Sequence, residues 1–525
     1  MKNINYLAVF LFVVFNTFVL SASAQRADTT ITIHIHTDQP VQTIDNIGSS
    51  ACWFSEGIGK YWPAEKKEQM ARLLFSREFN ADGSPQGIGL SAFRFNIGAG
   101  TAEQGDSSGI KDFRKRTECF LSPDGSYHWD KQAGYQYFLK KAHDYGVETL
   151  IGFSNSPPVQ FTKNGLGYKT EKDYTVNLKA DKFDAYADFL AEVARHFDAE
   201  GIHLSYISPV NEPQWDWSHK YMQADQEGSP WKNEDIFKVV TALDKSLTRQ
   251  HLDSKILITE AGQLNYLFGG KTGASRQIQE FFSPVSALYM GNLSHLPKIA
   301  GGHSYFTEAN DKVLINIRHQ LADTAKAYGV NYWETEYSML GDGFKEGTTG
   351  PRNAIDCALF LAKIIHTDLT AGSATAWQFW NAFEPGNPDF NTRYYLMALN
   401  PDPDFKNGDF TVTKNLWALG HYSRFVRPGM QRIITDAAGV AKPGSPIMLS
   451  AFRDKNDKLV VVCINYGQHD VALKLDLDQA KKHYQNLLMY LTTADKDVNM
   501  KAMPAQKYSK PVVMPARSIA TMLID

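Results

Sequence analysis

Leu204-Ser205-Tyr206-Ile207-Ser208-Pro209-Val210-Asn211-Glu212-Pro213 is the stretch that decides the fold. Its first half alternates and carries β-branched and aromatic residues, the pattern of a short buried strand. It breaks at Asn-Glu-Pro, because proline has no N–H to offer a ladder and cannot continue a central strand. A carboxylic acid is therefore left at the tip of a buried strand, beside a side-chain amide. Parallel α/β folds carry their chemistry at the carboxyl ends of their strands. Alone, the segment also suits an edge turn, so its neighbours must decide.

Outward from this stretch the chain repeats strand, loop and helix. Strands are expected at 47–53, 90–97, 149–154, 204–208, 255–259, 299–303, 330–335 and 374–379, and helices follow each of them. The eight pairs occupy about 380 residues, within the range of a (β/α)8 barrel with insertions. The segments 101–125, 213–231 and 385–411 each follow a strand and so belong on the face that carries active sites. After Gly429 the helical rhythm stops, and 447–453, 458–465, 471–477, 484–491 and 518–524 read as strands. The stretch Ile31, Ile33, Ile35 against Thr32, His34, His36 is one further half-buried strand that needs a partner. The fold class expected is α/β: a TIM barrel over 46–428 with an attached β-sandwich side domain. Both chain ends build that domain, 25–45 as one strand and 429–525 as the rest. His34-x-His36 could ligate a metal on a strand, but nothing near it in sequence completes a ligand set, and no metal is expected.

Among 525 residues, 43% hydrophobic and 21% charged content is ordinary for a globular chain, and the formal charge of −3 gives no reason to expect nucleic acid as a partner. Residues 1–24 read as a signal peptide: Lys2, a short apolar core at 7–15, and Ala22-Ser23-Ala24 as a cleavage site. A mature chain from Gln25, secreted or periplasmic, is expected, without stable membrane insertion. The four cysteines are far apart and form no Cys-x-x-Cys pair, so no zinc or redox motif is read.

The polar residues at the expected strand ends are Arg94, Asn96, Asn155, Asn211, Glu212, Glu260, His303, Tyr305, Glu334, Glu336, Trp380 and Asn381. This set is rich in carboxylates and amides and lacks a Ser-His-Asp or phosphate-binding pattern. It suits hydrolysis of a glycosidic bond, which two carboxyl groups accomplish without metal or cofactor. Glu260, Glu334, Glu336 and Glu384 compete as partner to Glu212. Strands four and seven face each other across the mouth, and Glu336 lies nearest the open face. Glu334, two residues deeper and on the same side by strand period, needs a buried partner, for which Arg94 is a candidate. Trp215, Trp217 and Trp231 follow strand four and either stack on sugars or form a loop cluster.

With these residues in place the chain resembles glycoside hydrolase family 30. The resemblance rests on six motifs in order: 42–48, Arg94-Phe95-Asn96-Ile97-Gly98, Asn155-Ser156-Pro157-Pro158, Pro209-Val210-Asn211-Glu212-Pro213, Trp333-Glu334-Thr335-Glu336-Tyr337 and 420–429. It implies Glu212 as acid/base and Glu336 as nucleophile of a retaining mechanism, with the carboxyls about 5–5.5 Å apart. It implies Arg94 beneath the nucleophile and Tyr305 bonded to it, Asn211 on the hydroxyl beside the reacting carbon, and Trp380 under the sugar. Asn155, His303, Trp215 and Trp217 complete the expected substrate-binding set. Asn155-Ser156-Pro157-Pro158 with Thr162-Lys163-Asn164-Gly165 looks like the endo-β-1,6-galactanase subgroup, although Val159-Gln160-Phe161 departs from its pattern. Galactan side chains of arabinogalactan are the expected substrate. The same mechanism on β-1,6-glucan or xylan is the alternative, and a carbohydrate-binding barrel without catalysis is the non-enzymatic one.

Overall fold

A computed structural model describes residues 30–437, 444–478, 480 and 483–525 of the chain. The expected signal peptide lies outside the described residues. The alternation read from sequence appears as a parallel sheet of nine hydrogen-bonded strands. The path runs from Lys255–Ile256 through Tyr206–Ser208, Thr149–Phe153, Ala92–Asn96, Asn46–Ala51, Ala376–Phe379, Asn331–Tyr337 and Ile299–His303 to Ile258–Ala261. Its first and last members are halves of one chain segment separated by Leu257 alone, so the sheet returns on itself as a nearly closed barrel. Leu257 joins Ile151, Ile299, Trp333 and Ala376 in an apolar layer that fills the barrel.

Helices such as Phe183–Ala199 and Asn233–Arg249 turn one buried face to the sheet, with Ala187, Leu190, Val193, Val240, Leu243 and Leu247 all buried. Some elements carry no clear signal in the sequence. The helix Phe54–Tyr61 packs against Ala133–Asp144, where Gly59 and Gly134 leave no room for a Cβ. Within the long segment after strand eight, Phe383–Pro385, Met397–Pro401 and Gly408–Val412 form a small sheet of their own.

The second domain is a ten-stranded sheet, nine strands in one hydrogen-bonded path and the short Gln506–Lys507 paired beside Asn486–Thr492, curled around its own core, which includes Ile33, Ile35, Val461, Leu473 and Met522. The N-terminal strand Thr30–Thr43 lies inside it, antiparallel to Gln431–Asp436 and parallel to Val471–Asp478. The central strands are buried on both faces, because Met448, Phe452, Val460, Val462 and Ile464 pack toward the barrel's core. That is why Leu459-Val460-Val461-Val462-Cys463-Ile464 reads as a continuous apolar run. His421 ties the two bodies together from the helix Lys414–Ser423: its ring nitrogens meet the hydroxyls of Thr521 and Thr492, each at 2.9 Å. Burial pushes its pKa down to about 3, so the ring is neutral.

One expectation about the N-terminal strand is corrected by register. His34 pairs with Asp476 at 3.2 Å, and His36 with Asp436 at 3.1 Å and Asp478 at 3.3 Å. Acidic partners absent from the local sequence arrive from strands at least 400 residues away. All four cysteines are free and buried. No helix among the described residues is long and apolar enough to cross a membrane.

Ile33 is fully buried in the core that the two chain ends share. Ile33→Ala is expected to cost about 2–5 kcal/mol of unfolding free energy, the range for truncating a buried aliphatic side chain. Urea denaturation of the full chain checks this; a loss below ~1 kcal/mol would contradict the placement.

Candidate active site

Glu212 follows the chain's fourth barrel strand and Glu260 lies near the end of its fifth, and the two anchor the site. After the strand Tyr206–Ser208 the backbone turns sharply, and Glu212 takes a left-handed conformation with φ 44°. Its N–H donates to the carbonyl of Glu260, which is itself left-handed at φ 51°. Each such residue costs about 1–2 kcal/mol relative to ordinary backbone. The indole N–H of Trp217 donates to the Glu212 carbonyl at 3.1 Å, clamping the same turn.

Beneath the mouth lies a buried charge network. Arg94 donates to Glu336 at 2.6 Å and to the side-chain oxygen of Asn211 at 3.0 Å, and lies 3.5 Å from Glu260. Its guanidinium is stacked 3.7 Å over the Phe153 ring. Burial opposes the arginine's charge, but Glu260 and Glu336 outweigh it and raise the pKa. Glu260 also accepts from Ser208 at 3.0 Å and Thr335 at 2.6 Å. Burial would raise its pKa, yet Arg94 and then His303 bring it down to about 2. Glu260 is thus a fully engaged carboxylate, not a reactive one.

His303 bridges the network to Glu212: Nδ1 lies 3.0 Å from Glu212 and Nε2 lies 3.0 Å from Glu260. Burial disfavours its charge, but the field of Glu336, Glu212 and Glu260 raises the pKa to about 10, so the ring is an imidazolium at neutral pH. Glu212 itself is pushed up, first by burial and further by the charge of Glu336, against the opposing His303. Glu336 completes the set, accepting from the Tyr305 hydroxyl at 3.0 Å. One oxygen each of Glu212 and Glu336 and one His303 nitrogen all lie within 4.8 Å of one another.

Strand period placed Glu334 and Glu336 on one side; the structure does not. Gly302 pairs with Glu334 and His303 with Glu336, so the strand Asn331–Tyr337 carries one extra residue between them. Thr335 and Glu336 both reach the network at the mouth, while Glu334 bonds Ser304 at 2.5 Å and Tyr332 at 2.7 Å. Arg94 is therefore not its partner. Burial and the nearby charge of Asp368 hold Glu334 well above the usual carboxyl range. Asp368 in turn takes Arg318 at 2.7 Å.

Above the network opens a cleft of about 230 Å³, lined by Glu212, Glu336, Asn211, Asn155, Tyr305 and Trp380 among others. Arg94 already holds the Asn211 oxygen, which leaves the amide hydrogens for a ligand. Trp380 meets Trp53 edge-on at 5.1 Å, forming an aromatic corner. Of the expected substrate-binding residues, Arg94 and His303 are fully buried beneath the cleft and do not line it. Trp217 lines no part of it and packs on Gly228 instead, while Trp215 borders a neighbouring cavity with Tyr174 and Tyr266. Asn381 is bonded to both backbone groups of Cys52 and serves the fold. Sequence reasoning missed Trp53, Lys115, Gln226 and Tyr394 in the lining. Trp53 lies two residues past the first barrel strand, and the others sit in the long segments expected at this face, so position held the signal. Glu384, raised to about 7 chiefly by burial, also lines the cleft, as does Lys115, which sits 4.3 Å over Trp53.

With this geometry in hand, residues 30–391 match the family model for O-glycosyl hydrolase family 30. The chain belongs to that family. Glucuronoxylanase XynC of Bacillus subtilis (strain 168) is 22% identical over 362 residues, 66% of this chain and 68% of the relative. A solved structure of a conserved exported protein from Bacteroides fragilis superposes with a TM-score of 0.86 at 36% identity, covering 94% of this chain and all of that one. The endo-β1,6-glucanase BT3312 gives 0.63 at 18% identity over 95% of each chain. This family 30 glycosyl hydrolase thus shares its whole described architecture with solved relatives.

The network makes stability pH-dependent with a definite sign. His303, raised from 6.5 to about 10, contributes stability that is complete below pH 6.5 and lost as pH rises through 10. Glu260, lowered from 4.5 to about 2, contributes stability present above pH 4.5 and lost as pH falls through 2. Thermal melts across pH 4.5–10 are expected to show a steeper alkaline fall for the native chain than for His303→Gln; equal slopes would contradict a charged His303.

Proposed function

We propose that the chain is a retaining β-glycosidase on a (β/α)8 barrel, with Glu336 as nucleophile and Glu212 as acid/base. The observation that carries this is the separation: an oxygen of Glu212 and an oxygen of Glu336 lie within 4.8 Å of each other, which accords with the close pair of a retaining mechanism, at about 5–5.5 Å between carboxyl groups, and not with the wider pair of an inverting one at about 6.5–9.5 Å. The surroundings of the two carboxyls also differ. Glu212 is raised by burial and by Glu336, which suits a proton donor, while Arg94 and Tyr305 both donate to Glu336, which suits an ionised nucleophile.

In the first step Glu336 attacks the anomeric carbon and Glu212 protonates the departing oxygen, giving a covalent glycosyl-enzyme. Loss of the Glu336 charge removes the repulsion that raised Glu212. Glu212 can then act as base on a water that releases the sugar. Tyr305 moves from holding a carboxylate to facing the ester. Asn211 is placed to bond the hydroxyl beside the reacting carbon, and the Trp53–Trp380 corner to receive a sugar face. His303 and Arg94 act through the carboxylates and not on the sugar.

The substrate we propose is a β-linked polysaccharide of the xylan or β-1,6-glucan type, after the names of the relatives; none of them supports the galactan expectation. An exported location accords with the Bacteroides fragilis protein. On a panel of xylan, β-1,6-glucan and β-1,6-galactan, Glu336→Gln is expected to lower kcat by at least 10³-fold with sugar binding kept, the scale of losing the covalent route. Glu212→Gln should lose most activity on polysaccharide and much less on an aryl glycoside whose leaving group needs no proton. NMR of the first product should show the β-anomer; the α-anomer would overturn the reading.

A further inference from the structure

A second and larger cleft, about 610 Å³, opens where the barrel meets the β-domain. One wall is the loop that carries Arg77 and Phe79 between the helix Ala64–Phe75 and the strand Ala92–Asn96. The other includes Lys455 and Lys458, in the hairpin between the strands Ile447–Arg453 and Leu459–Asn465, and Tyr490. A loop that leads into a barrel strand lies at the strands' amino ends. The cleft is therefore on the opposite face from Glu212 and Glu336, which sit at carboxyl ends.

Its floor is aromatic and held rigid. Phe79 is 44% exposed and stacks on Tyr490 at 5.9 Å with the rings 27° apart. Arg424 lies 4.1 Å over the Phe79 ring and donates to the carbonyls of Ser76, Gly87, Arg77 and Glu78. That saturates the guanidinium's terminal nitrogens and fixes the loop; the arginine is structural. Burial pushes its pKa down to about 10, so it remains charged at neutral pH.

The rim is cationic and unpaired. Among the described residues, the side chains of Arg77, Lys455 and Lys458 take part in no ion pair or hydrogen bond. The one carboxylate in the lining, Asp454, accepts instead from the backbone N–H groups of Asn456 and Lys458. A chain of net charge −3 thus concentrates positive charge around the exposed Phe79 ring. A flat ring takes the apolar face of a sugar, and cations around it take acidic substituents on the same polymer.

We propose that this cleft is a second, non-catalytic binding site for a polysaccharide bearing anionic groups, carboxylate or sulfate. It would anchor the polymer on the far side of the barrel from the bond being cut. The inference rests on membership of a glycosyl hydrolase family and not on the roles of the two carboxylates.

Affinity electrophoresis tests it, using the full chain carrying Glu336→Gln so that polymer is not cut. Polygalacturonate and dextran sulfate form the two acidic arms, neutral xylan and a single-stranded oligonucleotide the controls. At least one acidic glycan should retard the protein, and the arm that does so identifies the acid. Arg77→Ala/Lys455→Ala/Lys458→Ala should weaken binding at least tenfold, and Phe79→Ala alone about tenfold. Both sets, in the otherwise native chain, should leave hydrolysis of a small aryl β-glycoside unchanged. Lys455→Ala/Lys458→Ala, confined to a surface hairpin, stands in should a variant of the barrel loop fail to fold. No retardation by either acidic glycan would overturn the proposal. So would neutral xylan or the oligonucleotide binding as tightly, or indifference to Phe79→Ala, which would mean ion exchange alone. Hydrolysis persisting in Glu336→Gln would instead overturn the catalytic reading and leave this one standing.

Discussion

The Arg94 guanidinium is the constraint on which the mouth of the barrel depends. It is fully buried, yet it touches Glu336 and Asn211 and sits beside Glu260. A cation without water needs carboxylates, and the carboxylates need it: removing one member of such a set leaves the others uncompensated at a cost of about 3–5 kcal/mol. The network therefore fixes positions as well as charges. Glu260 is pinned by Arg94, Ser208, Thr335 and His303, and through His303 its position is passed to Glu212. The distance between Glu212 and Glu336 is thus set from below, by groups that never meet the cleft.

This arrangement accounts for the irregularities around it. The left-handed turns at Glu212 and Glu260 are disfavoured backbone, tolerated because a backbone hydrogen bond and the Trp217 clamp hold them. The extra residue in Asn331–Tyr337 brings Thr335 and Glu336 both to the mouth, where strict alternation would have sent one of them away. Below, the Leu257–Trp333 layer excludes water, which strengthens every charge interaction above it.

Much of this was legible in the sequence because it follows period and punctuation. Strand and helix alternation placed Glu212 at the fourth strand and Glu336 at the seventh, and the resemblance named Arg94 and Tyr305 with the contacts found. The rest depends on geometry that linear spacing does not carry. His303 reads as one more polar strand end; only a closed barrel sets it between two carboxylates. Glu334 looks equivalent to Glu336 until register breaks the count. Trp217 looks like a sugar platform, but its indole N–H is spent on a backbone carbonyl. The partners of His34 and His36 arrive from the other end of the chain, beyond the reach of any local motif.

The central claim is that Glu336 forms the covalent bond. A 2-deoxy-2-fluoro β-glycoside with an activated leaving group slows release of the intermediate and lets it accumulate. Peptide mass spectrometry of the native chain after this treatment should find one sugar adduct, on the peptide containing Glu336, with fragmentation assigning it to that residue. An adduct on Glu212, Glu260 or Glu384, or turnover of the reagent without any adduct, would contradict the account.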